Sequence, residues 1–329
     1  MFFKHTTIED APLMAGAIVG ACRGDGWVME LQPRMLHAMF WTMYGVEIDF
    51  ETVEPLALDA VLAAKPRLEE RVEIVDLMVA VEMICNPLPV GLAESVEEWA
   101  QALGVATAEL EVARDIARGA TAQAHVDLYR SSYFDEWGGG TPDFAALQER
   151  FGEGAYCFTV EADPELEAKY EALQACDAGS LGREQWKFYK QRKFPFPGVV
   201  GGANLALAQH DWLHVMCAYD SDAVGEVETS AFRAMATDFR GASLALLGDL
   251  IFYQSAWFES AASGLHRGHE LEQADFPERL ADALDRGRAC TMDPYAGMNF
   301  FDYADRQIDE LCATWSIPSK ASVRASVDP

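Results

Sequence analysis

His210 and His214 stand four residues apart in the run Gln209-His210-Asp211-Trp212-Leu213-His214, and Gly225-Glu226 follows after a short interval. On an α-helix, residues four apart stack on one face, one turn above the other. Asp211 is turned by ~100° from His210, and His214 lies between those two directions. The three side chains can therefore converge on a point beside the helix. Turn and cap chemistry at Asp220-Ser221-Asp222 predicts an end to that helix, with a second starting near Ala223 and Glu226 in its first turn, facing back toward the imidazoles. Two neutral imidazoles with carboxylates form a nitrogen and oxygen ligand set suited to zinc, or to non-haem iron, manganese or cobalt. The alternative is a hydrogen-bonded polar cluster inside a helix pair. Such a cluster of His210, Asp211, His214 and Glu226 is costly to bury without a cation, a cost that a bound metal would remove.

The elements that must position these residues read as helices throughout. The first half begins with a helix carrying Leu13, Met14, Ala17, Ile18 and Ala21, stopped at Gly24-Asp25-Gly26. A second runs from about Glu30 through Met43, and a third from about Thr52 to Ala64. The plan then recurs: Leu68 to Cys85, a break at Asn86-Pro87-Leu88-Pro89, and Ala93 to Leu103. Tyr44-Gly45-Val46 and Leu103-Gly104-Val105 occupy matching places, which suggests an internal repeat of helical hairpins. A further helix covers Glu109 to about Arg130, with His125 beside its apolar stripe. Trp137-Gly138-Gly139-Gly140-Thr141-Pro142 is the sharpest break. The expected fold is therefore all-α in two helical domains, 1–137 and 144–318, joined by a Gly-rich linker at 138–143 and followed by a loose tail at 319–329.

In the second half, helices are expected over Phe144–Phe151, Pro164–Gln174, from Ser180, around the histidines, over Phe276–Arg288 and over Phe300–Ala313, with an extended link at Ala155–Val160. Lys187, Lys190, Arg192 and Lys193 form one basic cluster, either a solvated helix end or a landing site for an acidic head group. Phe232, Met235, Phe239, Leu244, Leu247, Ile251, Phe252 and Phe258 recur at helical intervals and read first as bundle core. His266-Arg267-Gly268-His269-Glu270 reads as a polar loop.

Composition removes several classes of function. The net charge is −28, from 25 Lys and Arg against 53 Asp and Glu, which opposes nucleic-acid binding and any basic docking patch. No stretch approaches ~20 consecutive apolar residues, so no membrane span is expected. Glu9 and Asp10 precede the apolar run Leu13–Cys22, and that run reads as a buried helix, not as a lipoprotein leader. Seven scattered cysteines, none in a C-x-x-C pair, read as buried thiols in a reducing, cytoplasmic compartment.

The string H-D-x-x-H, eleven residues and then Glu, with Gly225 before Glu226, resembles the signature of the coenzyme Q biosynthesis family Coq-four. Upstream Ser180-Leu181-Gly182 followed by Trp186, Phe188 and Tyr189 extends the resemblance, which covers roughly 165 to 260. Ala218 and Asp220 stand where the family tends to have glycine, and the segment Phe194 to Asn204 lacks its usual charges. The resemblance implies oxidative decarboxylation of a prenylated hydroxybenzoate or related phenolic acid. His210, His214 and Glu226 would hold a divalent ion with help from Asp211, which could instead accept a proton or orient a histidine. Zinc is the metal it points to first. It also implies an isoprenoid tunnel along the apolar stripe, partners in a biosynthetic complex and peripheral contact with the inner face of a membrane.

Two other functions stay open at this stage. One is a non-catalytic scaffold or lipid-binding protein of a quinone pathway. The other is an HD-type phosphohydrolase, built on His210-Asp211 with an upstream His and a downstream Asp. In the first half, Asp25-Gly26-x-Val28-x-Glu30 and the doubled hairpins resemble the TerB-like helical domain of tellurite-resistance type, whose acidic turns are linked with metal. A turn with a first-turn Glu accounts for Asp25 and Glu30 more simply. This half is expected to recruit a partner or form a homodimer.

Overall fold

A computed structural model describes residues 3–64, 66–117, 159, 161–238, 241–255, 268–294 and 298–320. Among them the chain is all-α, with thirteen α-helices and three 3-10 turns. One isolated bridge, Ser180 to Gln307, is the β-pairing described. The Gly-rich segment 138–143, the helix predicted over Phe144–Phe151 and His125 lie outside the described residues, as do 321–329 of the predicted tail. No helix among the described residues is long and apolar enough to cross a membrane.

The first half contains α1 (Ala11–Cys22), α2 (Leu31–Tyr44), α3 (Leu58–Ala64), α4 (Leu68–Met83), α5 (Val90–Leu103) and α6 (Ala108–Ala117). Gly45 and Gly104, the matching glycines of the suspected repeat, both take left-handed φ values, 69° and 67°, and close α2 and α5. The third helix is shorter than the sequence suggests and starts at Leu58. Pro55 explains this, because it disfavours helix at Glu54 and lacks the amide a helix interior needs. Asp25 and Glu30 are exposed in the turn between α1 and α2.

The second half contains α7 (Pro164–Ala172), α8 (Leu181–Arg192), α9 (Leu205–Cys217), α10 (Ala223–Ala236), α11 (Gly241–Ser255), α12 (Phe276–Ala289) and α13 (Ile308–Thr314). The predicted final helix is divided: Phe300–Tyr303 forms a 3-10 turn, and the α-helix begins only at Ile308. Backbone amides of Leu181 and Gly182 donate to Arg306 and Ala304 carbonyls at 2.9 and 2.8 Å, which draws the 304–306 segment out of helical pairing and onto the start of α8.

α12 packs most extensively against α10 and also along α2, so that one hydrophobic core runs from Phe3 to Ile317. Arg288 donates from α12 to the Met43 carbonyl at 2.8 Å. Phe232, Met235, Leu244, Leu247 and Ile251 are all buried in this core, as the bundle reading of the stripe expects, whereas Phe239 and Phe258 lie outside the described residues. Lys320, in the predicted tail, donates to the fully buried Glu228 carboxylate at 2.9 Å, and Arg279 of α12 donates to it at 2.6 Å. The two cations compensate a charge that would otherwise be costly to bury.

The α10–α12 crossing depends on Gly287. A Cβ there would lie 2.3 Å from the Phe232 carbonyl oxygen and 2.9 Å from the Met235 Cβ. Within a helix, Gly→Ala ordinarily stabilises by ~1 kcal/mol. Here the sign should reverse: Gly287→Ala is expected to destabilise by about 2–3 kcal/mol through overpacking. Urea unfolding measures this, and a variant as stable as the parent would show that the crossing is looser than described.

Candidate metal centre

α9 begins at Asn204, whose side chain accepts from the Leu207 amide at 3.0 Å, and ends at Ala218 in a left-handed conformation. The helix thus stops one turn earlier than Asp220. Arg286 of α12 reaches its last turn and donates to the Cys217 carbonyl at 3.0 Å, a cation at a helix C-terminus. α10 starts at Asp222, which accepts from the Gly225 amide at 2.8 Å. Gly225 has a steric reason: a Cβ there would lie 1.8 Å from the Asp220 carbonyl oxygen. Only a glycine lets the connecting loop fold down tightly enough to bring the first turn of α10 beside α9.

That loop places Glu226 where the sequence expects it. Its Oε2 lies 3.1 Å from His210 Nε2 and 3.3 Å from His214 Nε2, and the two Nε2 atoms are 3.1 Å apart. His210 and His214 are 4% and 1% exposed, whereas the Glu226 side chain is 22% exposed, so the site opens to solvent on the Glu226 side. His214 stacks on Phe188 of α8, with ring centres 5.6 Å apart, and the Arg192 guanidinium lies 4.0 Å from the centre of the same phenyl ring.

The far nitrogens of the two rings fix what the near ones can do. His214 Nδ1 is 3.3 Å from Thr229 Oγ1, and that hydroxyl donates its proton to the Gly225 carbonyl at 2.9 Å. Thr229 therefore accepts from His214, which puts the ring proton on Nδ1 and leaves a lone pair at Nε2. His210 Nδ1 faces Asp211 Oδ1 at 3.5 Å, which favours the same tautomer. Two ring lone pairs and a carboxylate oxygen then converge with no proton between them, an arrangement that needs a positive charge. Ligand atoms on a tetrahedral ion with bonds of ~2.0–2.1 Å sit roughly 3.3 Å apart. The three measured separations match one face of such a shell. The buried group of His210, Asp211 and His214, whose nearest donor atoms all lie within 4.8 Å, could hold a metal ion.

Three groups were not legible as site residues. Tyr189, noted in the sequence only as an aromatic, donates its hydroxyl to Asp211 Oδ2. Thr229 carries a usable signal, since it falls three residues after Glu226 on the same helix and so shares its face. Asp249 of α11 carries none. It accepts from Ser230, and burial pushes its carboxyl up to about 7, opposed by the Ser230 hydrogen bond and reinforced by the Glu226 charge. His269 lies in the second histidine cluster, pairs with Glu272 at 2.6 Å and belongs to the polar loop the sequence suggests. In the basic cluster, Lys187 pairs with Glu184 at 2.6 Å and Arg192 donates to Ser221 at 2.6 Å.

The fold and this cluster define an all-α protein with a buried His-Asp-His group at a helix hairpin. No protein-family model and no curated protein matches the chain. Among solved structures, a crystal structure from Nostoc punctiforme, of a protein provisionally assigned to ubiquinone biosynthesis, is similar with a TM-score of 0.35 and 15% identity, covering 74% of this chain and 97% of that one.

Without a metal, protons must hold the cluster together. Burial opposes a charge on His210, but Glu226 and Asp211 outweigh it and push the imidazole up from 6.5 to about 9. Burial likewise opposes the Glu226 charge, and His214 and His210 outweigh it, so its carboxyl is held well below the usual 4.5. A raised histidine stabilises fully below its unfolded value and loses that contribution as pH climbs; a depressed carboxylate does the reverse. Asp249, a carboxyl raised by burial, stabilises fully below its usual 3.8 and loses that contribution as pH rises to about 7, so metal-free protein is expected to be steadiest near pH 4.5. Its melting temperature should fall as pH rises through about 9, with Asp249 adding to the loss up to about 7. Zinc should remove most of that alkaline fall by replacing the protons. Thermal scans from pH 4 to 10 with chelator and with zinc make the comparison; superimposable curves would contradict it.

Proposed function

We propose that this chain is a metal-dependent enzyme of quinone assembly that removes the ring carboxylate of a prenylated hydroxybenzoate, or a related phenolic acid, with hydroxylation at the same carbon and molecular oxygen as the two-electron oxidant. The observation that carries the reading is the convergence of His210 Nε2, His214 Nε2 and Glu226 Oε2 within 3.1–3.3 Å of one another. The resemblance of H-D-x-x-H, eleven residues and Glu to the Coq-four signature supplies the reaction class. His210, His214 and Glu226 would hold the divalent ion, with Asp211 beside them. When bound, the ion supplies Lewis acidity to the substrate's carboxylate or phenolate. Zinc fits the donor set, and iron would serve where hydroxylation needs a change of oxidation state.

The chain's own groups have distinct tasks in this reading. Thr229 and Asp211 keep the Nδ1 protons of the two rings away from the metal face. Phe188 covers His214 and excludes water from that flank. The phosphohydrolase reading needs a histidine from an earlier segment, and among the described residues none joins the cluster.

The test is elemental analysis of protein purified without chelator, beside a His210→Ala, His214→Ala double variant. About one zinc, iron or manganese per chain, absent from the variant, is the expected result, together with carbon dioxide release from a prenylated hydroxybenzoate. Metal without turnover, alongside a co-purified prenylated lipid, would make the protein a lipid-binding component of the pathway. Absence of metal from both samples, before and after reconstitution, would remove the enzymatic reading.

A further inference from the structure

Asp211 sits beside the metal-facing triangle, but its two oxygens point to other partners. Oδ2 accepts from the Tyr189 hydroxyl, and Oδ1 lies 3.5 Å from His210 at Nδ1, the ring nitrogen opposite the one that faces Glu226. His210 Nδ1 is buried and makes no hydrogen bond, so the Asp211 carboxylate is the acceptor it faces. Tyr189 is 1% exposed and held by Tyr170, Phe196 and Phe188, whose ring centres lie 5.6, 5.7 and 5.8 Å away. Burial keeps its hydroxyl protonated far above neutral pH, so it remains a donor. A buried phenol needs a partner, and this one has Asp211.

We propose that Tyr189 and Asp211 form a positioning relay that sets the ring of His210, with Asp211 acting from outside the ligand shell and the metal held by His210, His214 and Glu226 alone. The inference rests on the metal-binding reading above and deepens it. Metal-bound histidines commonly donate their other N–H to a carboxylate, which fixes the tautomer and raises ligand basicity. Tyr189 extends that pattern by one residue and one helix: α8 aims the carboxylate, the carboxylate aims the imidazole. Asp211 is the neighbour of His210 on the same helix and would swing toward solvent or toward the metal if Tyr189 did not hold it.

The experiment uses the full-length protein loaded with cobalt(II), as parent, Tyr189→Phe, Asp211→Asn and Glu226→Gln. Chelator competition gives affinity, and the visible spectrum reports coordination. Tyr189→Phe and Asp211→Asn are expected to keep one cobalt per chain and the parental bands, with affinity weakened roughly ten- to a hundredfold. Glu226→Gln should change the bands or lose the ion. Bands altered in Asp211→Asn as in Glu226→Gln would make Asp211 a ligand and overturn the relay, as would unchanged affinity in Tyr189→Phe. Asp211→Asn is isosteric and carries the test should Tyr189→Phe not fold. In metal-free protein the His210 Nδ1 proton resonance gives an independent reading: it should move in both variants, and a stationary line overturns the relay. If the parent takes up no cobalt, the metal-dependent function fails, and this resonance still decides the relay.

Discussion

Three hydrogen-bond acceptors, two imidazole nitrogens and a carboxylate oxygen, meet inside a helix hairpin and cannot remain there without a positive charge. Much of the second half can be understood as the means of holding them in that position. Asp222 and Gly225 fold the α9–α10 loop down, Arg286 secures the C-terminal end of α9, and Thr229 turns one ring so that its lone pair faces inward. Each of these contacts is local and modest, on the order of 1 kcal/mol for a cap or hydrogen bond. Their combined effect is geometric, because a shift of half an ångström would spoil the match to a tetrahedral face.

The hairpin does not stand alone. α12 lies along α10 on one side and α2 on the other, so the position of Glu226 is tied to a helix from the start of the chain. The buried Glu228, two residues beyond Glu226, takes Arg279 and Lys320 as counterions and so links the C-terminal segment to the same helix. These are not ligand contacts. They fix the rotation of α10 about its axis, and that rotation decides whether Glu226 faces the imidazoles or solvent.

What was legible in the sequence follows the range of the interactions. His210, His214 and Glu226 were readable because helix periodicity and one short loop set their relation. Gly45 and Gly104 were readable because a left-handed cap is written in one residue. The third helix starts at Leu58 and not near Thr52 because Pro55 lacks the amide that a helix interior needs. The expected final helix is divided because pairing with the start of α8, from distant positions, outweighs local helical tendency. Tyr189 and Asp249 reach the site from separate helices, and nothing in their neighbourhoods announces that.

The same distinction separates the ligands from what tunes them. A metal-binding triangle on two adjacent helices can be kept by a short motif, and its donors are indifferent to much of the remaining fold. The Asp211 carboxylate depends on a hydroxyl from α8, itself locked by aromatic rings from α7 and from the segment after α8. Changes in that aromatic packing can therefore alter ring basicity and metal affinity without touching a ligand. A chain that keeps the spacing of His210, His214 and Glu226 while its surrounding frame differs can keep the three donors together and still change how basic they are. The strength of the site is then a property of helix packing, whereas its existence is a property of helix period.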